Sequence, residues 1–321
     1  MKKYSVSIIG AGNISAFYDT PSSRNISTHA HSIELNGKVF LSGFYDVAVE
    51  KAKKASKIWG GKVFASIEEA VSMSEIVYIC VPDCYHAEVL LEVLKYQTLA
   101  IVTEKPLTLS IDDAIKVKEV ATKSGTPIFL NYTRRYVNEF RELRDYINTE
   151  KVGRFRKGVG YYGKGVLHNG SHMIDLLSFL LKDDMTVISS YNPIIDNDEK
   201  DPSADVVLRI GEGTFSLLAM DCRYVTIFEL DLLFENQRIR ILDNGKIIEY
   251  YEVKKSEQFA GYENYCLKEI KHTSWMPVVS GLIDNVVNYI EKRDSILCGI
   301  DEGIHILKVN DMIKKELEKD E

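Results

Sequence analysis

Apolar and polar positions follow different patterns in the two halves of this chain. In the first half, short apolar runs alternate with segments of helical spacing. The runs occupy Tyr4–Ile9, Val39–Tyr45, Ile76–Val81, Leu99–Val102 and Pro127–Asn131. Uninterrupted apolar runs are typical of parallel strands that are buried on both faces, with helices as the crossovers. We therefore predict an α/β Rossmann domain, built on a doubly wound parallel sheet, over residues 1–127.

The second half contains closely spaced strand-like runs that are joined by turn signals. They lie at Phe155–Tyr162, Met185–Tyr191, Asp205–Ile210, Thr214–Met220, Thr226–Phe234, Arg238–Leu242 and Lys246–Val253. Asn244-Gly245 is a hairpin signal, and short connections force neighbouring strands to run antiparallel. We predict an α+β domain over residues 128–321, with a largely antiparallel, open-faced sheet and C-terminal helices at Ile283–Ile290 and Gly303–Leu317.

Composition limits the partners that this protein can have. The 321 residues are 45% hydrophobic and 27% charged, and the net charge is −7. An acidic chain without a broad basic surface is not expected to bind nucleic acid. Its apolar runs are too short to cross a membrane, and a first strand explains the N-terminal run better than a signal peptide does. Five cysteines without a C-x-x-C pair favour a cytoplasmic protein, and no metal site is predicted.

The first predicted strand leads directly into Gly10–Ser15, which reads GAGNIS. This is the dinucleotide-binding pattern with serine in place of the third glycine. Its first glycine makes a tight turn, and its second lets the backbone approach a pyrophosphate at a helix N-terminus. The predicted cofactor contacts in this segment are Gly10, Gly12, Asn13 and Ile14.

Asp46 ends the second predicted strand, where a dinucleotide-binding domain carries an acidic residue. Its carboxylate would accept hydrogen bonds from a ribose and repel a 2′-phosphate. Since no arginine follows directly, NAD(H) is predicted in preference to NADP(H). The alternative role for Asp46 is a helix N-cap. His29 and His31 fall in a polar insertion, Tyr18–Ser32, and are predicted to be loop residues near the cofactor.

Thr103-Glu104-Lys105-Pro106 follows a buried strand. A charged pair at that position is hard to explain by packing, and strand ends are where open α/β sheets bind ligands. The proline restricts the backbone of the lysine before it. An ordinary solvated pair in a strand-to-helix loop is the alternative. The remaining predicted cofactor contacts are Val81, Pro82, His86, Glu104 and Lys105.

These motifs, in this order, resemble the Gfo/Idh/MocA family, which includes glucose–fructose oxidoreductase and inositol dehydrogenase. The resemblance implies that Lys105 lies beside the nicotinamide and the substrate and is catalytic. It also implies that residues 128–321 bind the substrate and form a homodimer or homotetramer through the open face of their sheet. Apolar surface for that contact would come from a row that includes Ile227, Leu230, Leu232 and Phe234.

A second polar segment contains His168, His172 and Asp175 among apolar residues. In a helix that begins near Asn169, His172 and Asp175 share one face. The resembled family has a D-x-x-x-H motif before a similar helix, which implies that His172 is catalytic or binds substrate. Here His168 stands at the position of the aspartate. The alternatives are a capping network between His172 and Asp175 and a zinc site, although these residues match no closed ligand set.

The predicted substrate contacts come from several segments of the chain. For Arg134 and Arg135, the alternative is surface charge on a helix at Asn138–Ile147. The full set of predicted contacts is Tyr132, Arg135, Tyr162, Lys164, His168, Asn169 and His172.

We therefore predict an NAD(H)-dependent dehydrogenase or reductase that acts on a hydroxyl or carbonyl carbon of a sugar or sugar derivative, including nucleotide-linked or acidic sugars. Lys105 is the predicted acid/base, and His172 shares the hydrogen bond to the substrate hydroxyl. Two alternatives remain. One is a non-catalytic NAD-binding regulator on the same fold. The other is an enzyme that uses tightly bound NAD+ for transient oxidation, as in a glycosidase or epimerase cycle.

Overall fold

The computed structural model of the protein describes residues 2–275 and 280–319. These residues form two compact units, one from residues 2–136 and 280–307 and the other from residues 137–275 and 308–319. The predicted functional division into 1–127 and 128–321 remains a prediction. In the structure, residues 128–136 and 280–307 are part of the first unit.

A six-stranded sheet forms the centre of the first unit. Its strands are β1 (Tyr4–Ile9), β2 (Val39–Tyr45), β3 (Lys62–Val63), β4 (Ile76–Ile79), β5 (Ala100–Thr103) and β6 (Ile128–Leu130). The order β3-β2-β1-β4-β5-β6, with parallel pairing throughout, is that of a doubly wound dinucleotide-binding domain. Every residue of β4 and β5 is buried, which explains their continuous apolar sequence. The predicted Rossmann fold is confirmed.

Helices connect these strands. They are α1 (His29–Leu35), α2 (Val49–Trp59), α3 (Ile67–Ser72), α4 (His86–Val93) and α5 (Ile111–Ser124). In α5 the N-cap Ser110 accepts a hydrogen bond from the Asp113 amide at 3.1 Å. The same helix ends at Gly125, which has a left-handed φ of 71°.

The segment after the glycine-rich loop differs from the prediction. Residues Asn13–Phe17 form only a single wide helical turn, and the chain is irregular until α1 begins. His29 and His31 lie in α1 and are each 2% exposed, so the prediction that they are loop residues is wrong. The cause is Thr28, whose side chain accepts a hydrogen bond from the His31 amide and caps the helix.

An eight-stranded sheet forms the centre of the second unit. Its strands are β7 (Phe155–Tyr162), β8 (Met185–Asp198), β9 (Asp201–Ile210), β10 (Gly213–Ala219), β11 (Glu229–Phe234), β12 (Gln237–Leu242), β13 (Ile247–Lys255) and β14 (Glu263–His272). The order is β14-β13-β12-β11-β7-β10-β9-β8, and only the β7–β10 pair among these strands is parallel. The predicted, largely antiparallel α+β architecture is confirmed.

Two helices of the second unit, α6 (Asn138–Ile147) and α7 (Ser171–Leu181), pack against each other and supply buried apolar side chains. Leu230, Leu232 and Phe234 are at most 2% exposed, so these three residues of the predicted interface row belong to the core instead, whereas Ile227 is half-buried. Alternate residues of the strands carry the opposite face. There Asp231 pairs with Arg238, and these charged side chains are only partly buried.

The C-terminal part of the chain contains α8 (Gly281–Ile290) and α9 (Ile300–Leu317), close to the predicted positions. Strand β14 was not predicted. It is an edge strand without a single buried residue, so its sequence shows no apolar alternation. Among residues 2–275 and 280–319, no helix has both the length and the apolar character that a membrane crossing requires.

Candidate dinucleotide-binding and catalytic site

The predicted site residues of the first unit lie at the carboxyl edge of its parallel sheet. Backbone hydrogen bonds continue past the strand ends there. The Glu104 amide donates to the Ile79 carbonyl at 3.1 Å, and the Asn131 amide donates to the Thr103 carbonyl at 3.0 Å. The loops after β4, β5 and β6 are therefore held side by side at the edge where open α/β sheets bind ligands.

Gly10 makes the turn out of β1 and cannot be replaced without strain. Its φ is +97°, and an added Cβ would lie 2.6 Å from the carbonyl carbon and oxygen of Cys80. Backbone atoms cannot move aside as a flexible side chain can. Both the conformation and the close approach therefore require glycine.

Gly12 differs, because packing does not require glycine there. Its φ is −102°, and an added Cβ would meet no protein atom within 4 Å. Ser15, the residue at the third motif position, is buried; its Oγ accepts from the Gly12 amide at 2.8 Å and donates to the Gly12 carbonyl at 3.0 Å. Asn13 and Ile14 begin the turn that this cap closes. The open space beside Gly12 is what a closely approaching pyrophosphate needs.

Asp46 connects the glycine-rich loop to the start of α2. Its Oδ2 accepts from the Ala11 amide and its Oδ1 from the Ala48 amide, both at 2.8 Å. The N-cap of α2 is Ala48, so the interpretation of Asp46 as the N-cap is wrong. A carboxylate has about four lone-pair sites. The two amide bonds therefore leave acceptor capacity for ribose hydroxyls.

His86 ties two loops of this edge together. Its Nδ1 lies 2.6 Å from the Pro106 carbonyl and its Nε2 lies 3.0 Å from the Val81 carbonyl, and the residue is fully buried. Since both ring nitrogens have backbone partners, the ring holds the segment after β5 against the segment after β4. Pro82, between Val81 and His86 in sequence, is exposed. The predicted cofactor contacts of these three residues remain predictions.

Glu104 is the centre of a side-chain network. Its Oε1 accepts from His29 Nε2 and from Asn131 Nδ2, each at 2.7 Å, and its Oε2 accepts from the Lys105 amide at 3.3 Å. The Glu104 side chain is 14% exposed and that of His29 is 2% exposed. The alternative of an ordinary solvated pair is therefore wrong for Glu104.

Electrostatics favour an ionised Glu104. Burial acts to raise the pKa of its carboxyl, but hydrogen bonds from His29 and Asn131, with the charge of Lys105, hold that pKa below its ordinary value. Burial and the Glu104 charge raise the pKa of Cys80 and contribute to raising that of Tyr78, so both stay neutral. Lys105 is half-buried and is followed by a cis peptide bond to Pro106. The arrangement can hold a lysine ammonium beside a fixed carboxylate.

The segment after β6 brings more polar groups into the first unit. Tyr132, Arg134 and Arg135 are 1%, 7% and 5% exposed, so the interpretation of the two arginines as surface charge is wrong. The two arginines lie in a short turn, Thr133–Tyr136, before α6. Arg135 Nη1 donates to the Leu297 carbonyl at 3.1 Å, which ties the segment to the C-terminal part of the same unit.

In the second unit, the Tyr162 side chain makes hydrogen bonds within the sheet. Its hydroxyl donates to the Ala204 carbonyl at 2.8 Å and accepts from the Ala204 amide at 2.9 Å, and the side chain is fully buried. Burial raises the pKa of this phenol above its ordinary value. Because its only donor is used on β9, we do not propose Tyr162 as a substrate contact.

A turn at Gly165–Gly170 precedes α7 and is capped by side chains of β9. Asp201 accepts hydrogen bonds from the Leu167 amide at 2.7 Å and from the His168 amide at 2.8 Å. Ser203 Oγ accepts from the Gly165 amide at 2.8 Å. The amides at the start of a helical turn have no partners within it, so these acceptors fix the backbone that carries His168.

The other predicted residues of this segment surround the same turn. Lys164 is exposed, and its amide donates to Asp196 Oδ2 at 2.7 Å. Asn169 Nδ2 donates to the Gly163 carbonyl at 3.0 Å. The helix α7 begins at Ser171, close to the predicted start near Asn169, and His172 is half-buried in its first turn. The roles predicted for His168, Asn169 and His172 remain predictions.

Sequence reasoning did not predict three contacts of these networks, which are those of His29 and Asn131 with Glu104 and that of Asp201 with the His168 turn. Asn131 had a usable signal, because it follows β6 as Glu104 follows β5 on the neighbouring strand. His29 and Asp201 had none, since each reaches its partner from a distant part of the sequence. Among the described ranges, no group of three or more acidic, histidine or cysteine side chains could hold a metal ion.

The first unit fits a nicotinamide dinucleotide. The glycine-rich turn, the open space beside Gly12 and the acceptor capacity of Asp46 match the pyrophosphate and ribose of such a cofactor. Glu104 and Lys105 lie at the same sheet edge, two strands from β1. Fold and site together define a Rossmann domain of the dinucleotide-binding class.

Comparison with known proteins agrees with this class. Residues 4–132 match the model of the oxidoreductase family with an NAD-binding Rossmann fold, Gfo/Idh/MocA. This match covers the Rossmann domain, less than half of the chain, and confirms the predicted resemblance for those residues. A curated relative, glucose-6-phosphate 3-dehydrogenase from Bacillus subtilis (strain 168), is 27% identical over 154 residues. That match covers 48% of this chain and 40% of the relative, so the chain spans well under half the length of this relative.

Solved structures share the fold over nearly the whole chain. UDP-N-acetylglucosamine 3-dehydrogenase GnnA from Acidithiobacillus ferrooxidans has a TM-score of 0.76 at 14% identity and covers 99% of both chains. A putative NADPH-dependent oxidoreductase from Desulfitobacterium hafniense has a TM-score of 0.80 at 16% identity and covers 100% of this chain and 97% of its own. At this identity the likeness concerns the fold alone.

Proposed function

We propose that this protein is an NAD(H)-dependent oxidoreductase that moves a hydride between nicotinamide and a hydroxyl or carbonyl carbon of a sugar or sugar derivative. The observation that carries the proposal is the Glu104–Lys105 pair at the end of β5. Its carboxylate is fixed by His29 and Asn131 beside a half-buried lysine, in a unit with a dinucleotide-type glycine turn. Strand packing alone does not require such a pair.

In this proposal, different residues of the first unit bind the cofactor and transfer the proton. When bound, the nicotinamide supplies the hydride donor or acceptor. Gly10 and Gly12 would hold the pyrophosphate, and Asp46 would hold a ribose. Lys105 would donate a proton to the carbonyl oxygen in reduction and accept the hydroxyl proton in oxidation. Glu104 would orient the Lys105 side chain through the attraction between their charges.

Asp46 supports the preference for NAD(H). Its carboxylate would repel the 2′-phosphate that distinguishes NADP(H), and the following residues, Val47 and Ala48, supply no positive charge. The structural relative described as NADPH-dependent makes the preference worth measuring directly. A clear excess of NAD over NADP affinity is expected, and near-equal affinities would show that Asp46 is misassigned.

The sugar substrate is supported by the relatives and by the residues. Two relatives are named as dehydrogenases of a sugar phosphate and of a nucleotide sugar. The buried Arg134 and Arg135 suit an acidic or nucleotide-linked sugar, because guanidinium groups bind phosphate and carboxylate well. Tyr132, Lys164, His168 and Asn169 stay proposed substrate contacts, and His172 a proposed partner of the substrate hydroxyl. The cytoplasmic location and the homo-oligomer through the second sheet also remain predictions.

The test combines a sugar and nucleotide-sugar screen with the Lys105→Ala variant. We expect wild-type protein to form NADH on at least one substrate. Lys105→Ala should lower kcat by a factor of about 10²–10⁴, the usual contribution of a general acid or base. Its dissociation constant for NAD should stay close to that of the wild type. Lys116→Ala, which changes an exposed lysine of α5, is the matched control and should alter neither quantity.

Three results would contradict the proposal. Full turnover in Lys105→Ala would remove the lysine from the mechanism. Tight NAD binding without turnover on any substrate would favour the non-catalytic regulator. Cofactor that co-purifies and turns over substrate without net NADH would favour transient oxidation.

A further inference from the structure

His29 is a buried histidine outside the glycine-rich and Glu104–Lys105 motifs. It begins α1, is 2% exposed, and reaches Glu104 Oε1 at 2.7 Å although the two residues are 75 positions apart. Its ring also lies against Tyr78 of β4, with a centroid distance of 5.1 Å. The His29 ring is therefore a fixed part of the side-chain network at this edge of the sheet.

The position of His29 is fixed by the irregular segment before it. Asp19 Oδ1 accepts from the Thr28 hydroxyl at 2.6 Å, and its Oδ2 accepts from the Ser27 amide at 2.6 Å. The His31 ring is bonded to the same carboxylate at 2.8 Å. The Asp19 carboxylate thus joins the beginning of the irregular segment to its end. The helix α1 begins at His29, whose ring contacts Glu104.

We propose that His29 is a positioning residue of the catalytic site: its ring donates to Glu104 and keeps that carboxylate ionised and fixed beside Lys105. The inference deepens the proposed function and rests on the role given there to Lys105. Without the ring, Glu104 Oε1 loses the donor from His29, while Asn131 Nδ2 still donates to the same oxygen.

The other groups that face Glu104 do not replace this contribution. Tyr78 and Cys80 come from β4, and burial raises the pKa of both above their ordinary values, so they carry no charge over the working range. Lys105, on the same loop, contributes a positive charge, and Asn131 contributes a neutral donor. Removal of the His29 donor therefore raises the pKa of Glu104 toward its ordinary range.

The experiment measures the titration midpoint of the Glu104 carboxyl directly and does not depend on enzyme turnover. Protein labelled with ¹³C at glutamate carboxyl groups is titrated by NMR, and the signal is assigned with Glu104→Gln. We expect the Glu104 midpoint to rise by about one pH unit in His29→Ala, the size of one lost hydrogen bond to a charged group. His29→Gln places an amide donor near the same point and should restore a midpoint close to that of the wild type.

His31→Gln is the matched control. His31 is in the same helix and equally buried, but its ring bonds Asp19 and not Glu104. This variant tests whether general loosening of α1 is enough to move the Glu104 midpoint, and we expect no movement. If His29→Ala does not fold, a comparison of the wild type with Glu104→Gln still decides: the ¹⁵N signal of His29 Nε2 should differ between them, and an unchanged signal would overturn the inference.

The second readout is the pH profile of kcat/KM. In His29→Ala, the acidic limb of this profile should move to higher pH together with the Glu104 midpoint. In His29→Gln, it should lie close to its position in the wild type. An unchanged Glu104 midpoint in His29→Ala, or an equal movement in His31→Gln, would overturn the inference. A wild-type protein without any turnover would instead defeat the proposed function, while the carboxyl titration would still decide the role of His29.

Discussion

Replacing Asp19 by alanine should destabilise the first unit strongly. The Asp19 side chain is 3% exposed and accepts hydrogen bonds from Ser27, Thr28 and His31. Alanine leaves these three donors without an acceptor inside the protein. Hydrogen bonds to a charged group contribute about 1.5–3 kcal/mol each. They are not additive, and each buried donor left without a partner costs about 1–3 kcal/mol, so we expect the free energy of unfolding to fall by about 3–5 kcal/mol.

Thermal unfolding measures this loss. For a unit of this size, one kcal/mol corresponds to about 2–4 °C, so the melting temperature should fall by roughly 6–20 °C. Circular dichroism or calorimetry on the full chain detects such a shift. The matched control is Glu34→Ala, which removes an exposed carboxylate from α1 and should change the free energy of unfolding by less than about 0.5 kcal/mol.

The same variant has a pH signature. Burial acts to raise the pKa of Asp19, but the bonds from Thr28, His31 and Ser27 lower it below the ordinary value. A carboxyl with a lowered folded pKa contributes stability above its unfolded pKa, about 3.9, and loses it as the pH falls through the folded value. The difference between wild type and Asp19→Ala should therefore be full near neutral pH and shrink below about pH 4. Equal melting temperatures at neutral pH would refute the reasoning.

Two further predictions concern the glycine-rich turn and the turn that carries His168. Gly10→Ala should lower the free energy of unfolding by at least about 2 kcal/mol, because Gly10 has a positive φ and lies against the Cys80 backbone. Gly12→Ala should leave the melting temperature nearly unchanged and should weaken NAD binding, which calorimetry measures. Equal stability of the two variants would contradict this account. Asp201→Asn should lower the stability of the second unit by about 1–3 kcal/mol, because an amide offers one acceptor to two backbone donors. Asp198→Asn, an exposed change in the same hairpin, is its control.

Local sequence determined much of this protein. The buried strands of the first unit could be read from continuous apolar runs, since parallel strands are covered on both faces. Gly10 and the Glu104–Lys105 pair could be placed at the sheet edge because strand ends and turn residues are local signals. The series of short antiparallel strands in the second unit was equally visible, with the exception of β14, whose exposed edge position leaves no apolar period.

Tertiary structure alone decided which groups meet at the site. No local pattern brings His29 to Glu104 or Asp201 to the His168 turn, because each bond joins segments that are far apart in sequence. Side-chain periodicity shows that Leu230, Leu232 and Phe234 share a face of β11, but only packing shows that this face is the covered one. Spacing along a chain fixes which residues share a face or a turn, whereas long-range contacts fix their partners, burial and charge state.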